Sequence, residues 1–161
     1  MADLNGWSVL VAGVRKVEQD PGRLLDEMRS QNPGVFLQAV DAQAVYGREH
    51  TMGALQIALA AYERKVMIAD KVETEVLLRL ARTDQIADAL KKTGLKKGMP
   101  GCFIAFSKDV QALKNLGGQL AAFDLDDSVI EASKEKAERM ARGQKRALDY
   151  LIERAAIMVR G

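Results

Sequence analysis

His50 is the only imidazole in the chain, and an imidazole is the side chain that most readily gains or loses a proton near neutral pH. Arg48 and Glu49 adjoin it, but consecutive residues of a helix face different directions, so no proton relay among them is predicted. The positive end of a helix dipole at this position disfavours the imidazolium ion. A neutral histidine that caps or packs is the favoured interpretation, and a small enzyme that uses His50 is the alternative.

A run of acidic residues near the C-terminal third could bind a cation. Asp124, Asp126, Asp127 and Glu131 carry four negative charges with no positive one among them. Carboxylates suit Mg²⁺ or Ca²⁺, but the run lacks the spacing of an EF-hand and the glycine at its turn. We interpret it as a solvated turn before a helix. The single cysteine, Cys102, is predicted to be a small core residue, and no metal site or cofactor is predicted.

Common catalytic and nucleotide-binding motifs are missing from the sequence. The chain contains no Gly-x-x-x-x-Gly-Lys-Ser/Thr loop, no Gly-x-Gly-x-x-Gly after a strand, no His-Glu-x-x-His and no Gly-x-Ser-x-Gly. Residues 98–101 form a tight turn that leads into a strand, whereas a phosphate loop leads into a helix. These absences argue against nucleotide hydrolysis and common hydrolase chemistry, and no catalytic residue is predicted from motifs.

The segment from residue 82 to residue 97 is locally basic. Its five basic residues outnumber two acidic ones, although the whole chain has a net charge of only +2. Positive charge at the end of a helix complements the helix dipole, and it also suits contacts with a phosphate backbone. No aromatic residue is interleaved, so a base-stacking platform is not predicted. RNA binding and a plain solvated face both remain open. The predicted nucleic-acid-binding residues are Arg82, Gln85, Lys91, Lys92, Lys96 and Lys97.

The C-terminal segment carries an apolar stripe with helical spacing at residues 148, 151, 152, 155, 156 and 159. Such a stripe usually completes a hydrophobic core. Further apolar residues beside it widen the apolar surface, and a helix that is apolar on two sides can dock on a partner. The predicted partner-binding residues are Leu148, Leu151, Ile152, Ala155 and Ile157.

The elements that position these residues follow from hydrophobic periodicity and turn residues. Strands are predicted over 7–14, 35–40, 66–69 and 102–106. Helices are predicted from residue 21, over 48–64, after Asp70, over 84–92, from Ser107 to Leu116, and near the C-terminus. Asp70, Thr83 and Ser107 are predicted N-caps, and Gly94 and Gly117–Gly118 are predicted helix ends. Because strands and helices do not alternate regularly, we predict an α/β chain of the α+β type, with a small mixed sheet of about four strands covered by helices.

The length and composition of the chain indicate the class of protein to which these elements belong. The chain has 161 residues, of which 48% are apolar and 29% charged, as in a globular domain. This length predicts a single domain over residues 1–161. The most apolar helical stretch, 54–62, is about half as long as the ~20 residues that span a bilayer. With one cysteine and no signal-peptide pattern, a cytoplasmic location is expected.

Short sequence blocks in a characteristic order carry a family resemblance. The blocks are Gln38-Ala39-Val40-Asp41-Ala42, Val45-Tyr46-Gly47-Arg48-Glu49-His50, Ile68-Ala69, Glu75-Val76-Leu77-Leu78, Gln85-Ile86-x-x-Ala89-Leu90, Asp126-Asp127 and Ile152-Glu153-Arg154-Ala155-Ala156-Ile157, with Ala54, Ala58 and Gly94 between them. Together they resemble the kinase-binding accessory subunit of the KEOPS complex, the PRPK-binding protein family. Thr51 departs from the family, which more often has an apolar residue there.

The resemblance implies a non-catalytic subunit of the complex that makes threonylcarbamoyladenosine next to the anticodon of tRNA. Members of this family are small α/β proteins that dock on the atypical kinase/ATPase subunit, and they help to bind tRNA, in archaeal systems by its 3′ CCA end. The implied partners are that kinase subunit, tRNA and, indirectly, the other KEOPS subunits. A pure protein-interaction module without RNA binding is the alternative.

Overall fold

Four strands and seven α-helices lie within residues 1–158, the part of the chain that the computed structural model describes. The strands are β1 (Ala2–Leu4), β2 (Trp7–Val14), β3 (Phe36–Asp41) and β4 (Gly101–Ser107). The helices are α1 (Pro21–Gln31), α2 (Gly47–Glu63), α3 (Val72–Ala81), α4 (Ile86–Thr93), α5 (Val110–Leu120), α6 (Lys134–Ala141) and α7 (Ala147–Ala156). The predicted α+β class with about four strands is confirmed.

The contacts within the chain divide it into two compact units. Unit 1 consists of Met1–Ala42 and Leu95–Val129, and it holds all four strands with α1 and α5. Unit 2 consists of Gln43–Gly94 and the chain from Ile130 onward, and it holds the other five described helices.

The sheet of unit 1 has the strand order β1-β2-β4-β3, and every described pair of neighbours is antiparallel. The prediction of a mixed sheet is therefore wrong in this respect. β2 and β3 run in the same direction and are joined through α1, but β4 lies between them, so no two parallel strands share hydrogen bonds. One consequence is that Val9 and Phe36 both pair with Phe106 of the central strand.

The first strand pair is a hairpin that the sequence analysis did not identify. Asn5 and Gly6 form its two-residue turn, with φ angles of 51° and 87°. Positive φ at both central residues is the requirement of a type I′ turn, and Asn-Gly is the sequence that best meets it. This turn sets the register of the hairpin, in which Leu4 pairs with Trp7.

One face of the sheet packs against α1 and α5 and forms the core of unit 1. Phe103 and Ala105 of the central strand lie there with Leu37 and Ala39 of the edge strand, all nearly inaccessible to solvent. Residues of the opposite face are buried as well. Cys102 on that face is fully buried, as predicted for a small core residue.

The ends of α5 differ from the prediction. Asp109 is the N-cap, and its carboxylate accepts the Ala112 N–H, while the Ser107 hydroxyl accepts the Asp109 N–H one step earlier. Gly117 and Gly118 do not end the helix, which continues to Leu120. Leu116 and Leu120 are buried, and this packing outweighs the low helix propensity of two glycines.

The chain before α3 is a loop, so the predicted strand over 66–69 is wrong. Its backbone is held by a side chain instead of a strand partner, because the Ala69 N–H donates to Glu75 Oε1 at 2.8 Å. Asp70 is not the N-cap either. That position belongs to Lys71, whose side chain makes no capping hydrogen bond.

The start of α4 also lies later than predicted. Gln85 is its N-cap, and Thr83 accepts the Gln85 N–H from two residues before the helix. The C-terminal end agrees with the prediction, because Gly94 is the C-cap residue and its N–H donates to the Leu90 carbonyl.

Candidate functional site

His50 lies in the first turn of α2 and is completely buried. Its Nδ1 accepts the N–H of Tyr46, the N-cap residue of the same helix, at 3.0 Å. Burial lowers the pKa of His50 from 6.5 to about 3, and the positive charges of Arg82 and Lys136 add to that shift. The neutral capping histidine is thus confirmed. Its Nε2 is buried and has no hydrogen-bond partner among the described residues.

The acidic run is a structured turn in unit 1. The Gly13 N–H donates to the Asp127 carboxylate at 2.9 Å, and Arg15 pairs with Asp126 at 3.2 Å. A side chain at Gly13 would meet the Asp126 carbonyl at 2.5 Å, so this close approach requires glycine. Hydrogen bonds from the Ser128 hydroxyl and N–H lower the pKa of Asp126. These bonds support the interpretation of the run as a turn.

Two features are absent from residues 1–158. No group of three or more histidine, cysteine, aspartate or glutamate residues there could hold a metal ion. None of the helices described is long and apolar enough to cross a membrane.

The predicted nucleic-acid-binding residues divide between the two units. Lys96 and Lys97 are exposed in unit 1, and Lys96 forms an ion pair with Asp41 at 3.2 Å. The other four lie in unit 2. Gln85 and Lys91 are exposed there, and the Gln85 amide donates to the Asp84 carboxylate.

Arg82 and Lys92 meet at the C-terminal end of α3. Arg82 is the C-cap, with φ of 57°, and its guanidinium donates to the Leu80 carbonyl at 3.0 Å. Lys92 donates to the Ala81 carbonyl at 3.1 Å. Burial lowers the pKa of Lys92, and the charges of Arg82 and Arg142 add to that shift.

Two arginines and one tyrosine of the C-terminal third act electrostatically on Arg82 and Lys92. Burial lowers the pKa of Arg82 as well; Tyr150 acts in the opposite direction, and Arg154 adds to the lowering. We call Arg82, Lys92, Arg142 and Arg154 the cationic cluster. Sequence reasoning missed Arg142, Tyr150 and Arg154, because they are separated from Arg82 by more than 50 residues of chain and share no motif with it.

The apolar stripe of α7 belongs mainly to the core of unit 2. Leu151 and Ala155 are fully buried, and the Ile152 side chain lies so close to Gly53 of α2 that a Cβ there would meet it at 2.7 Å. Leu151 and Ala155 are therefore core residues rather than docking residues. Leu148 is half-buried, and Ile157 is 57% exposed. Val159, at the end of the stripe, lies outside the described residues.

An apolar groove of about 610 Å³ lies beside the end of α7. Ala156 and Met158 form one side, and Val66, which is 52% exposed, belongs to the loop after α2. The lining residues are Ile57, Ala60, Ala61, Arg64, Lys65, Val66, Arg79, Ala156 and Met158. Ile157, which lies between Ala156 and Met158 in the chain, adds exposed apolar surface near this groove.

A buried ion pair lies beside the groove, and one of its members, Arg79, is a lining residue. Arg79 and Glu75 are one helical turn apart on α3, at 2.8 Å, with side chains 4% and 0% exposed. The Arg79 guanidinium also donates to the carbonyls of Ala155 and Met158, at 2.8 Å each. Both charges are thus hydrogen-bonded, as buried charges must be.

Comparison with known proteins identifies the family. The chain matches the model of a family described as kinase binding protein CGI-121 over residues 14–140. The match runs from the end of β2 to α6 and includes four of the helices of unit 2 wholly or in large part, whereas Arg142 and α7 lie beyond it. No curated protein matches the chain. Because the matched residues make up most of its length, the chain belongs to the CGI-121 family of kinase-binding proteins.

Proposed function

We propose that this protein is the non-catalytic, kinase-binding subunit of a KEOPS complex, and that it helps to bind tRNA for threonylcarbamoyladenosine formation in the cytoplasm. The family match over residues 14–140 is the observation that carries the proposal. The chemistry of the reaction would lie in partner subunits, and this chain would position the kinase/ATPase subunit and the RNA.

The groove beside α7 supports the docking part of the proposal. Ile157 and Val66 expose apolar surface at its edges, and burial of such surface is the main favourable contribution in most protein interfaces. Of the residues predicted for docking, Ile157, with the half-buried Leu148 and Ile152, is available to a partner without unfolding α7.

Co-purification with the kinase subunit tests the docking surface. Ile157→Glu and Val66→Glu would each place a charge in the interface, so we expect the retained fraction of kinase to fall at least about tenfold. Val110→Glu is the matched control, since Val110 is 46% exposed in unit 1. Full retention of the kinase by both groove variants, with intact circular dichroism, would place the docking surface elsewhere.

The basic residues at the helix ends of unit 2 support the RNA-binding part of the proposal. Arg82, Lys91 and Lys92 lie at or near the ends of α3 and α4, where RNA phosphates could reach them, and Gln85 is exposed near them. Lys96 and Lys97 would make separate contacts from unit 1. Phosphate contacts orient a nucleic acid, and unpaired terminal nucleotides such as a 3′ CCA end allow finer recognition.

Binding of tRNA by the isolated protein at several salt concentrations tests this part. Each phosphate contact to a single strand contributes about −0.7 to the slope of log K against log salt. We expect tRNA to bind more tightly than tRNA without its CCA end, and the variant Lys91→Glu/Lys92→Glu/Lys96→Glu/Lys97→Glu to lose binding. If wild-type protein binds no tRNA at low salt yet retains the kinase, it is an interaction module without an RNA role.

The neutral His50 argues against the remaining alternative, a small enzyme. A buried imidazole with a pKa of about 3 that is engaged by the Tyr46 N–H has neither the access nor the basicity of a general base.

A further inference from the structure

The three asparagines of the chain, Asn5, Asn32 and Asn115, differ in their chemical surroundings. Asparagine is a chemically labile residue, because the backbone nitrogen of the next residue can attack its side-chain amide carbon. The attack needs a free backbone N–H and a next residue without a bulky side chain. It also needs a backbone that can leave its regular conformation. The structure shows which asparagine meets these requirements.

Asn5 meets all of them. It is exposed in the turn between β1 and β2, and it is followed by the exposed Gly6. No described atom beyond the chain neighbours of Gly6 lies within 4 Å of the position that a Cβ would take there. The turn belongs to an edge strand that pairs only with β2, and such peripheral elements open locally at little cost in free energy.

The other two asparagines are protected by their surroundings. Asn32 is buried and donates its side-chain amide to the Met28 carbonyl, and Pro33 after it has no N–H. Asn115 lies within α5, where the N–H of the next residue, the buried Leu116, belongs to the hydrogen bonds of the helix. The reaction is therefore expected at Asn5 and not at these positions.

We propose that Asn5 is a site of spontaneous deamidation, and that this modification releases the edge strand β1. The Gly6 nitrogen bonds to the Asn5 side-chain amide carbon, its proton leaves with the amide group as ammonia, and a succinimide ring remains. Water then opens either of the ring's C–N bonds to the former Asn5 carbonyls, which gives aspartate or isoaspartate. No electrons are exchanged. The inference is independent of the proposed function.

The two products affect the hairpin differently. Aspartate keeps the length of the turn, and Asp-Gly also suits a type I′ turn. Isoaspartate continues the chain through its side chain and lengthens the backbone of the turn by a carbon atom. The turn then no longer matches the register in which Leu4 pairs with Trp7 and Ala2 with Val9. Because Ala2 and Asp3 are exposed, little buried surface opposes the detachment of β1.

Release of β1 would uncover part of one edge of β2. β1 pairs with Trp7–Val9, and at the other end of β2 Val14 forms a bridge with Leu125. β2 is an apolar strand of eight residues, and an uncovered edge of this kind is a template for pairing with another chain. We therefore expect the isoaspartyl form to associate with a second copy of this chain.

Ageing of the purified full chain in a mildly alkaline buffer tests the site. Mass spectrometry of the tryptic peptide 1–15 should show replacement of one amide nitrogen by oxygen, and an isoaspartyl methyltransferase should transfer a labelled methyl group to it. The peptides that carry Asn32 and Asn115 should stay unchanged. In the isoaspartyl form, hydrogen exchange of the Leu4 and Trp7 N–H groups should be at least about tenfold faster.

Asn5→Gly is the matched control, since Gly-Gly also forms a type I′ turn and has no side-chain amide. After the same ageing it should keep its initial hydrogen exchange and its initial oligomeric state in analytical ultracentrifugation. An unmodified peptide 1–15 in the aged wild type, or equal modification of Asn115, would overturn the site. If Asn5 is modified but the aged wild type exchanges and sediments like the control, the proposed release of β1 is wrong.

Discussion

Arg79 and Arg82 lie three residues apart in unit 2, yet their surroundings are opposite. Arg79 is buried, pairs with Glu75 and donates to two carbonyls at the end of α7. Arg82 donates to one carbonyl, and burial together with the charge of Arg154 lowers its pKa. The charge of Arg79 is balanced by the Glu75 carboxylate and by two carbonyls, whereas Arg82 has one carbonyl and no carboxylate partner among the described residues.

This difference separates charges that maintain the fold from charges available to a ligand. A buried pair with all hydrogen bonds made is costly to break, because the remaining partner keeps its charge in a place without water. A group of exposed or half-buried cations without a carboxylate contributes little to stability and creates a local positive potential. Arg79 lies in the last turn of α3, and Arg82 directly follows that helix. A structural ion pair and a candidate ligand-binding group are thus only three residues apart.

Replacement of Arg79 should have the largest effect. Arg79→Met leaves the Glu75 carboxylate buried without its partner, and we expect the free energy of unfolding to fall by about 3–5 kcal/mol. Urea denaturation measures this change. Arg23→Met removes the same residue type from the exposed Arg23–Glu27 pair, also at i,i+4, and should cost under about 1 kcal/mol. Equal losses in the two variants would contradict the distinction between the two kinds of charge.

The pH dependence of stability tests how strongly burial and the nearby cations act on His50. In the unfolded chain His50 takes up a proton below pH 6.5, whereas in the folded protein it does so only near pH 3. Its contribution to stability is therefore complete above pH 6.5 and is lost as the pH falls from there towards 3, by about 2 kcal/mol between pH 7.5 and pH 5. His50→Asn, whose amide oxygen can accept the Tyr46 N–H, should lack this loss. Parallel pH profiles for the two proteins would show that His50 ionises normally.

The smallest effect is expected in the cationic cluster itself. Arg142→Met removes one of several like charges and breaks no ion pair, so the free energy of unfolding should stay within about 0.5 kcal/mol of the wild type, with any change towards greater stability. Thermal denaturation in low salt measures it. A loss comparable to that of Arg79→Met would mean that Arg142 is a structural residue, and the contrast between the two groups would disappear.

Local sequence signals predicted much of the fold. The glycine at the end of α4 and the helix predicted over 48–64 both agree with the structure. The Asn5–Gly6 hairpin could also have been predicted from its turn sequence. Tertiary packing explains the two main differences from the prediction. The buried Leu116 and Leu120 stabilise α5 beyond its two glycines. The position of β4 between β2 and β3 makes the sheet antiparallel.

The candidate site was predictable only in part, for the same reason. Arg82 and Lys92 belong to one basic segment that composition reveals, whereas Arg142, Tyr150 and Arg154 join them only through the packing of α6 and α7 in unit 2. The apolar stripe of α7 could not distinguish core from surface, because both uses require the same spacing. Burial assigns Leu151 and Ala155 to the core and leaves Ile157 exposed.

The hydrogen bonds of the Glu75–Arg79 pair reach both sides of the apolar groove. Glu75 holds the loop that carries Val66 through the Ala69 N–H, and Arg79 holds the last turn of α7 through Ala155 and Met158. The two walls are therefore linked through one rigid ion pair on α3. A binding surface built in this way is preorganised, so a partner that enters the groove loses little free energy to the ordering of its walls.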